Sequence, residues 1–316
     1  MLRTTSKIFS LILALVLSYS AFSQKPVDIS PKSSLIDAPV LLDDIRILSG
    51  DDMEGRSASN PVTMKKVREF VEKRFRESGI GPIDPTYEQE FKITARNRTD
   101  TLKGANIVGF IKGTKNPESY IVVSAHYDHL GMRNGVIYNG ADDNASGTAA
   151  LFAIAKAFKK EKPRNSILFV AFDAEETGLQ GSKYFVEHLP IKKESVLLNI
   201  NMDMISRNDK GELWAAGIFA NPSLKPTLEE AQKSAKVKLM LGHDDPKLGR
   251  DDWTDQSDQG SFHTAKIPFV YFGVEDHKDY HKPTDDFANI MPEFYVHAVE
   301  TVLMTTRLFD RSLASK

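Results

Sequence analysis

The stretch "SYIVVSAHYDHLG" (residues 119–131) decides how the chain folds. Its first half is an apolar run of strand length, rich in β-branched residues, with no polar alternation. Such a run suits a strand buried on both faces. It ends in a polar tip of His126, Asp128 and His129. Four further runs have the same character: "ANIVGFIKG" (105–113), "SILFVAF" (166–172), "SVLLNINM" (195–202) and "IPFVYFGV" (267–274). Helical patterns separate them. In "NASGTAALFAIAKAFKK" (144–160), Leu151, Ile154, Ala155 and Phe158 share one face, and Asn144 or Ser146 is placed to cap its start. Over 62–78, Val67, Phe70, Val71 and Phe75 mark one face, and Gly79 and Gly81 end it. Helices are also expected over 181–188, 224–235, 259–265 and 292–313, the last with Pro292 in its first turn. The alternation predicts one α/β domain with a mixed, mainly parallel central sheet flanked by helices. The polar segment 242–260 reads as a long surface loop.

The 316 residues, 41% of them hydrophobic, suffice for a sizeable core. Forty-one basic and 43 acidic residues leave a net charge of −2, which gives no basic excess for nucleic acid. The N-terminus is a separate object. Arg3 and Lys7 precede the apolar run 8–17, and Ala21-Phe22-Ser23 has small residues at its first and third places. That is the layout of a secretory signal peptide spanning 1–23, cut after Ser23. The apolar run is short of the ~20 residues a spanning helix needs, so no membrane attachment is expected after cleavage. A periplasmic or secreted protein follows. The absence of cysteine removes disulfides and thiol catalysis. Residues 24–40, with Pro26 and Pro31, read as a loose lead, and 41–316 as a single catalytic domain.

Ligands of such sheets bind beyond the carboxyl ends of the strands. The polar residues gather there: His126 and Asp128 after the 119–125 run, Asp142 and Asp143 before a helix, and Asp173, Glu175 and Glu176 after 166–172. Asp203 follows 195–202, and His277 and His281 follow 267–274. Any one of these alone is an ordinary strand-end or turn residue. Together, so many carboxylates without arginine would repel one another, and burying them uncompensated costs too much. A divalent cation, or two, resolves the conflict. Imidazole and carboxylate without thiolate suit zinc, with cobalt or manganese as substitutes. Two ions need a bridging carboxylate, which Asp142 or Asp143 would provide.

The ordered motifs "AHYDHLG", "GADDNASG", "DAEETGLQGS", "NMDMI" and "YHKPTDD" resemble the zinc aminopeptidases of metallopeptidase family twenty-eight. The likeness covers about residue 105 to the C-terminus, and "LSGDDMEGR" (48–56) also looks like that family's N-terminal segment. The resemblance implies a three-layer zinc-exopeptidase sandwich and two zinc ions. By position, His126 and Asp203 match the ligands of the first ion and Glu176 and His281 those of the second. Asp143 matches the bridge, Glu175 the general base, and Asp128 the acid that orients His126. It also implies a cis peptide bond between Asp143 and Asn144. Peptides with a free N-terminus are the implied substrates.

His129 and His277 read as neighbours of ligands, and Asp142, Asp173 and Asp285 as supports. In "SDQGSF" (257–262), Gln259 stands where many relatives of the family carry histidine. Trp253 is either a substrate-stacking or a pinned loop aromatic. Three rival readings share the scaffold. A carboxypeptidase or another amide hydrolase would keep the metals; the former needs cations such as Arg250 and Lys282. A single-zinc glutaminyl cyclase would not need all five ligands. A non-catalytic metal-stabilised domain would not need Glu175. The oligomeric state is open.

Overall fold

Tyr120 to His126 run up the middle of a nine-stranded sheet, as the opening stretch predicts. The computed structural model describes residues 31–94 and 101–313. The expected signal peptide and residues 24–30 of the expected lead lie outside them. In chain order the elements are α1 (Ala38–Leu48), α2 (Pro61–Ser78), β1 (Gly81–Pro82), β2 (Glu88–Ile93), β3 (Leu102–Ile111) and β4 (Asn116–His126). The small hairpin β5 (Gly131–Arg133) and β6 (Val136–Tyr138) follows, then α3 (Gly147–Lys160), β7 (Asn165–Phe172), α4 (Gln180–Glu187) and β8 (Val196–Met202). The remainder comprises β9 (Glu212–Ala216), α5 (Lys225–Ser234), β10 (Lys238–Leu241), α6 (Gln259–Thr264), β11 (Phe269–Gly273) and α7 (Pro292–Ser312).

The sheet order is β1-β3-β7-β4-β8-β11-β9-β10, with β2 also paired to β3. The four central strands β7, β4, β8 and β11 are mutually parallel, so their carboxyl ends share one edge. Antiparallel pairs flank them, β3 against β7 and β9 against β11. The apolar runs feed two layers at once, because alternate side chains point to opposite faces. Ile121, Val123, Ile167 and Phe169 join the large core that includes α1, α2, α3 and α7. Val122, Leu168, Val170 and Phe172 join a second core with Phe185 of α4 and Phe262 of α6. Helices on both faces of a mixed sheet make the three-layer sandwich.

Three differences from the sequence expectations have local causes. Helix α1 begins at Ala38, inside the segment expected to be a loose lead. Asp37 caps it by accepting the Val40 N–H at 3.5 Å, and Leu41, Ile45 and Leu48 bury one face. Strands β2, β9 and β10 were not expected; at four to six residues each they are too short to set a period. The 242–260 segment is anchored rather than a free surface loop. Trp253 stacks on His243 at 3.7 Å between ring centroids, and Ser257, Asp258 and Gln259 are buried. Of the two cap candidates for α3, Asn144 is the one whose Oδ1 accepts the Gly147 N–H, at 2.9 Å. Among the described residues, no helix is long and apolar enough to cross a membrane.

Candidate metal centre

The carboxyl ends of the four parallel strands deliver the predicted residues to one place. His126 is the last residue of β4, Asp203 follows β8 directly, and Glu175 and Glu176 lie three and four residues beyond β7. Asp143 comes from the turn leading into α3, and His281 from the loop after β11. The backbone is bent sharply where these loops turn. Ala174, Met204 and His281 all have left-handed conformations, with φ of 58°, 59° and 54°. Non-glycine residues held there cost roughly 1 kcal/mol or more each, and the surrounding structure must impose them. The Asp143–Asn144 peptide bond is cis.

Asp143 stands at the middle. Its Oδ1 lies 3.5 Å from His126 Nε2, and its Oδ2 lies 3.1 Å from His281 Nε2. On the first side, His126 Nε2 is 3.2 Å from Asp203 Oδ1. On the second, His281 Nε2 is 3.4 Å from Glu176 Oε2. His129, expected to be a quiet neighbour, is fully enclosed on this second side, with Nδ1 2.7 Å from Glu176 Oε1 and 3.6 Å from Asp143 Oδ2. The side chain of His281 is 39% exposed, so it forms the solvent-facing wall.

Two groups have the compactness of metal sites: His126 with Glu175 and Asp203, and His129 with Asp143 and Glu176. Within each, the candidate ligand atoms lie within 4.8 Å of one another. His126 Nε2, His129 Nδ1, Glu176 Oε1 and Asp203 Oδ1 are buried and have no hydrogen-bond partner. Buried polar atoms are normally paired, so this convergence of orphaned nitrogen and oxygen fits a divalent cation. The five predicted ligands and Glu175 lie at this one place, but the compact second group takes the unexpected His129 in place of the predicted His281.

The surroundings hold these groups in place. His126 Nδ1 points to the backbone carbonyl of Asp128 at 3.1 Å, whereas the Asp128 carboxylate is 3.7 Å away, beyond hydrogen-bond reach. That carboxylate instead accepts the backbone N–H groups of Glu175 and Glu176, at 3.0 and 3.3 Å. Asp128 thus orients the two glutamates with its side chain and His126 with its carbonyl. Asp285 does the same for the opposite loop, accepting the N–H groups of Asp142 and Asp143 at 2.9 and 3.0 Å. Asp142 accepts the Ser206 hydroxyl and faces His277 Nε2 at 3.0 Å. Asp173 accepts the Ala105 N–H and the Tyr127 hydroxyl. Both acids support the site from outside the cluster. Gln259 is fully buried and bridges Asn201 and the Trp253 carbonyl, so it braces the loop and does not face the cavity.

Two further ionisable groups are buried here: Arg56, which the sequence did not single out, and Asp258, which with Glu175 was a sequence candidate for holding the substrate amine. Arg56 is fully enclosed, and its guanidinium donates to four carbonyls, those of Tyr127, Leu48, Asn139 and Gly140. Burial lowers its pKa to about 10, and the fields of Asp143, Asp285, Asp128 and Glu176 keep it charged. It is a permanent countercharge beside the acidic cluster. Gly55 permits the turn that aims it: φ is +67°, and a Cβ there would lie 2.4 Å from the Tyr138 carbonyl oxygen. Asp258 is also buried, with neither carboxylate oxygen hydrogen-bonded, and burial pushes it up to about 7.

Burial likewise raises the Glu175 carboxyl well above its ordinary value, opposed by His126 and reinforced by Asp258 and Asp203. Burial opposes the charging of His126 and His281, but the facing carboxylates outweigh it. Asp203 and Glu175 lift His126, and Asp143 and Glu176 lift His281 to about 10. Without a cation, protons on imidazole balance the cluster. The cavity over these groups has a volume of about 310 Å³ and is walled by Met204, Trp253, Tyr271, Val274 and Tyr280.

Residues 106–306 match the model of peptidase family M28. The chain belongs to peptidase family M28. This M28 chain is 31% identical over 199 residues to aminopeptidase YwaD of Bacillus subtilis, covering 60% of the chain and 41% of that protein. It is 35% identical over 127 residues to a glutamate carboxypeptidase 2 homolog of Caenorhabditis elegans, covering 38% of the chain and 16% of that protein. The match thus spans less than half the length of either relative. The fold aligns with the structure of BSAP, a zinc aminopeptidase from Bacillus subtilis, with a TM-score of 0.71 and 17% identity over 87% of this chain and 95% of that one. It aligns comparably with a glutaminyl cyclase of Bacteroides thetaiotaomicron, with a TM-score of 0.68 and 18% identity over 87% and 98%. Fold similarity at this identity identifies the scaffold and leaves the reaction to the site.

Proposed function

We propose that this M28 chain is an exported metallo-aminopeptidase that uses two zinc ions to hydrolyse the N-terminal bond of peptides. The observation that carries the reading is Asp143, whose two oxygens face two separate imidazole–carboxylate groups with Glu175 alongside. His126 and Asp203 would hold one ion, Glu176 and His281 the other, and Asp143 both. When bound, zinc supplies a Lewis acid that acidifies water and polarises the scissile carbonyl.

Glu175 is the base in this reading. Its carboxylate takes a proton from the attacking water and returns it to the departing amine. A buried carboxyl with a raised pKa suits both transfers. Asp128 fixes the backbone of Glu175 and Glu176, so that adjacent glutamates divide the base and ligand roles. Met204, Trp253, Tyr271 and Val274 exclude water from the first-residue side of the cavity.

Substrate polarity favours an amine over a terminal carboxylate. Among the described residues lining the cavity there is no lysine or arginine, while Asp255 and Asp276 stand on its walls. An ammonium group is attracted there and a carboxylate repelled, which supports an aminopeptidase over a carboxypeptidase. Export rests on the N-terminal signal pattern.

The test is hydrolysis of aminoacyl-p-nitroanilides beside their N-acetylated forms, with zinc and with chelator. Cleavage restricted to free amines, lost in chelator and restored by zinc, supports the reading. Cleavage of blocked substrates, or silence on both with two zinc ions bound, overturns it.

A further inference from the structure

Beyond the metal cavity lies a second, larger cleft of about 590 Å³ between α4 and α6. The two spaces share walls, Leu179 and Asp255. Both helices of the cleft grow directly from loops of the centre. Leu179 precedes α4 and lies three residues after Glu176, and Asp258 precedes α6. Leu179 is held at a left-handed φ of 59° between the two spaces, which makes it a fixed sill. On the far side, Val186 and Ala265 provide apolar surface, and Lys183 and Lys193 are offset by Glu187 and Asp255. The cleft is therefore electrically balanced, with apolar side chains at its walls. An apolar, uncharged occupant suits it.

We propose that this cleft is a binding subsite for the residues downstream of the scissile bond, and that it selects peptides with apolar side chains there. The proposal rests on the aminopeptidase reading. An exopeptidase closes its cavity around one substrate end and must let the chain leave on the other side. The aromatic walls of Trp253, Tyr271 and Tyr280 enclose one side of the metal cavity, and the Leu179–Asp255 sill leads from it to the cleft. The peptide crosses the sill and lays its second and later side chains between α4 and α6. The downstream product must then leave this cleft before the next turnover.

Thr264 lines the cleft, is exposed and is not part of the metal cavity's wall. Thr264→Trp fills the space with little risk to folding, and Thr264→Ser serves as the conservative control. The first readout is binding. In the Glu175→Gln background loaded with zinc, the affinities of Leu-Phe, Leu-Phe-Val and Leu-Phe-Val-Leu, each with a C-terminal fluorophore, are read by anisotropy. Each added apolar residue is expected to tighten binding until the cleft is full, by about tenfold for a well-buried side chain. T264W abolishes that gain and T264S retains it. The second readout is turnover of leucinamide, whose leaving group is ammonia and places nothing in the cleft; T264W leaves it within about twofold of wild type. Affinities that do not change with length, or a length gain that survives T264W, overturn the subsite. Absence of leucinamide turnover in wild-type protein strikes the aminopeptidase reading, while the binding series still decides the cleft.

Discussion

The Asp128 carboxylate accepts the backbone N–H of Glu175 at 3.0 Å, and so ties the end of β4 to the loop that follows β7. Its second oxygen takes the neighbouring N–H of Glu176 at 3.3 Å. Replacing Asp128 with Asn keeps the shape but turns one acceptor into a donor aimed at an N–H group. Catalytic efficiency is expected to fall about 10–100-fold, with weaker zinc binding because Glu176 loses its anchor. Parallel measurement of kcat/KM and zinc affinity checks this. Retention of both would show that the two N–H contacts are dispensable.

On the proposed mechanism, Glu175→Gln removes the proton acceptor and little else. Zinc content is expected to stay at the wild-type level while turnover drops about 10³-fold. Metal analysis beside kcat gives the answer, and activity near wild type would assign the base elsewhere.

The two histidines on the second side of the centre separate by their exposure and contacts. His281→Ala is expected to reduce zinc stoichiometry from the proposed two per chain toward one. His129→Ala should keep two ions but bind the weaker one about tenfold less tightly, through loss of the contact that positions Glu176. Titration by calorimetry distinguishes them. If His129→Ala is the variant that loses an ion, His129 is the ligand and His281 the wall.

Metal binding must respond to pH. In the cation-free protein His281 titrates at about 10 and His126 well above its ordinary value, each lifted by carboxylates against the effect of burial. Both are therefore biased towards the protonated form, and zinc must compete with those protons. Affinity rises with pH and falls as pH is lowered, by about tenfold or more per unit. Zinc competition with an indicator chelator at pH 6 and pH 8, with proton release followed in weak buffer, measures it. A pH-independent affinity would mean that the imidazoles are already neutral.

Arg56→Met leaves four carbonyls without their donor and the acidic cluster without its fixed cation. A loss of about 3–5 kcal/mol is expected, equivalent to a fall in Tm on the order of 10 °C. Thermal unfolding of zinc-free protein reads it directly, and an unchanged Tm would deny Arg56 its structural weight.

The strands that matter most for the site were legible because their signal is long and unbroken. β4, β7, β8 and β11 carry apolar runs whose ends name the candidate ligands, and the five ordered motifs suggest roles for them. Helix α1 had a readable signal in Pro39 and the spacing of Leu41, Ile45 and Leu48, but the polar lead before it masked the start. β9 and β10 are too short to set a period, and their pairing comes from the sheet. Arg56 sits in "DDMEGR", a composition that reads as a solvated turn. Its burial depends on four carbonyls from three separate segments, which no local pattern encodes. Asp258 and Gln259 were noticed in the sequence, but their burial was hidden for the same reason, inside a stretch whose polarity suggests surface. The role of Asp128 was half legible: its neighbourhood to His126 was clear, but the hand-off to Glu175 and Glu176 exists only in three dimensions.

Arg56 also carries a charge that no metal has to supply. Its charge belongs to the polypeptide and arrives with synthesis, whereas a metal must be acquired from the surroundings. That internal counter-ion offsets part of the repulsion in the acidic nest whether or not an ion has been captured.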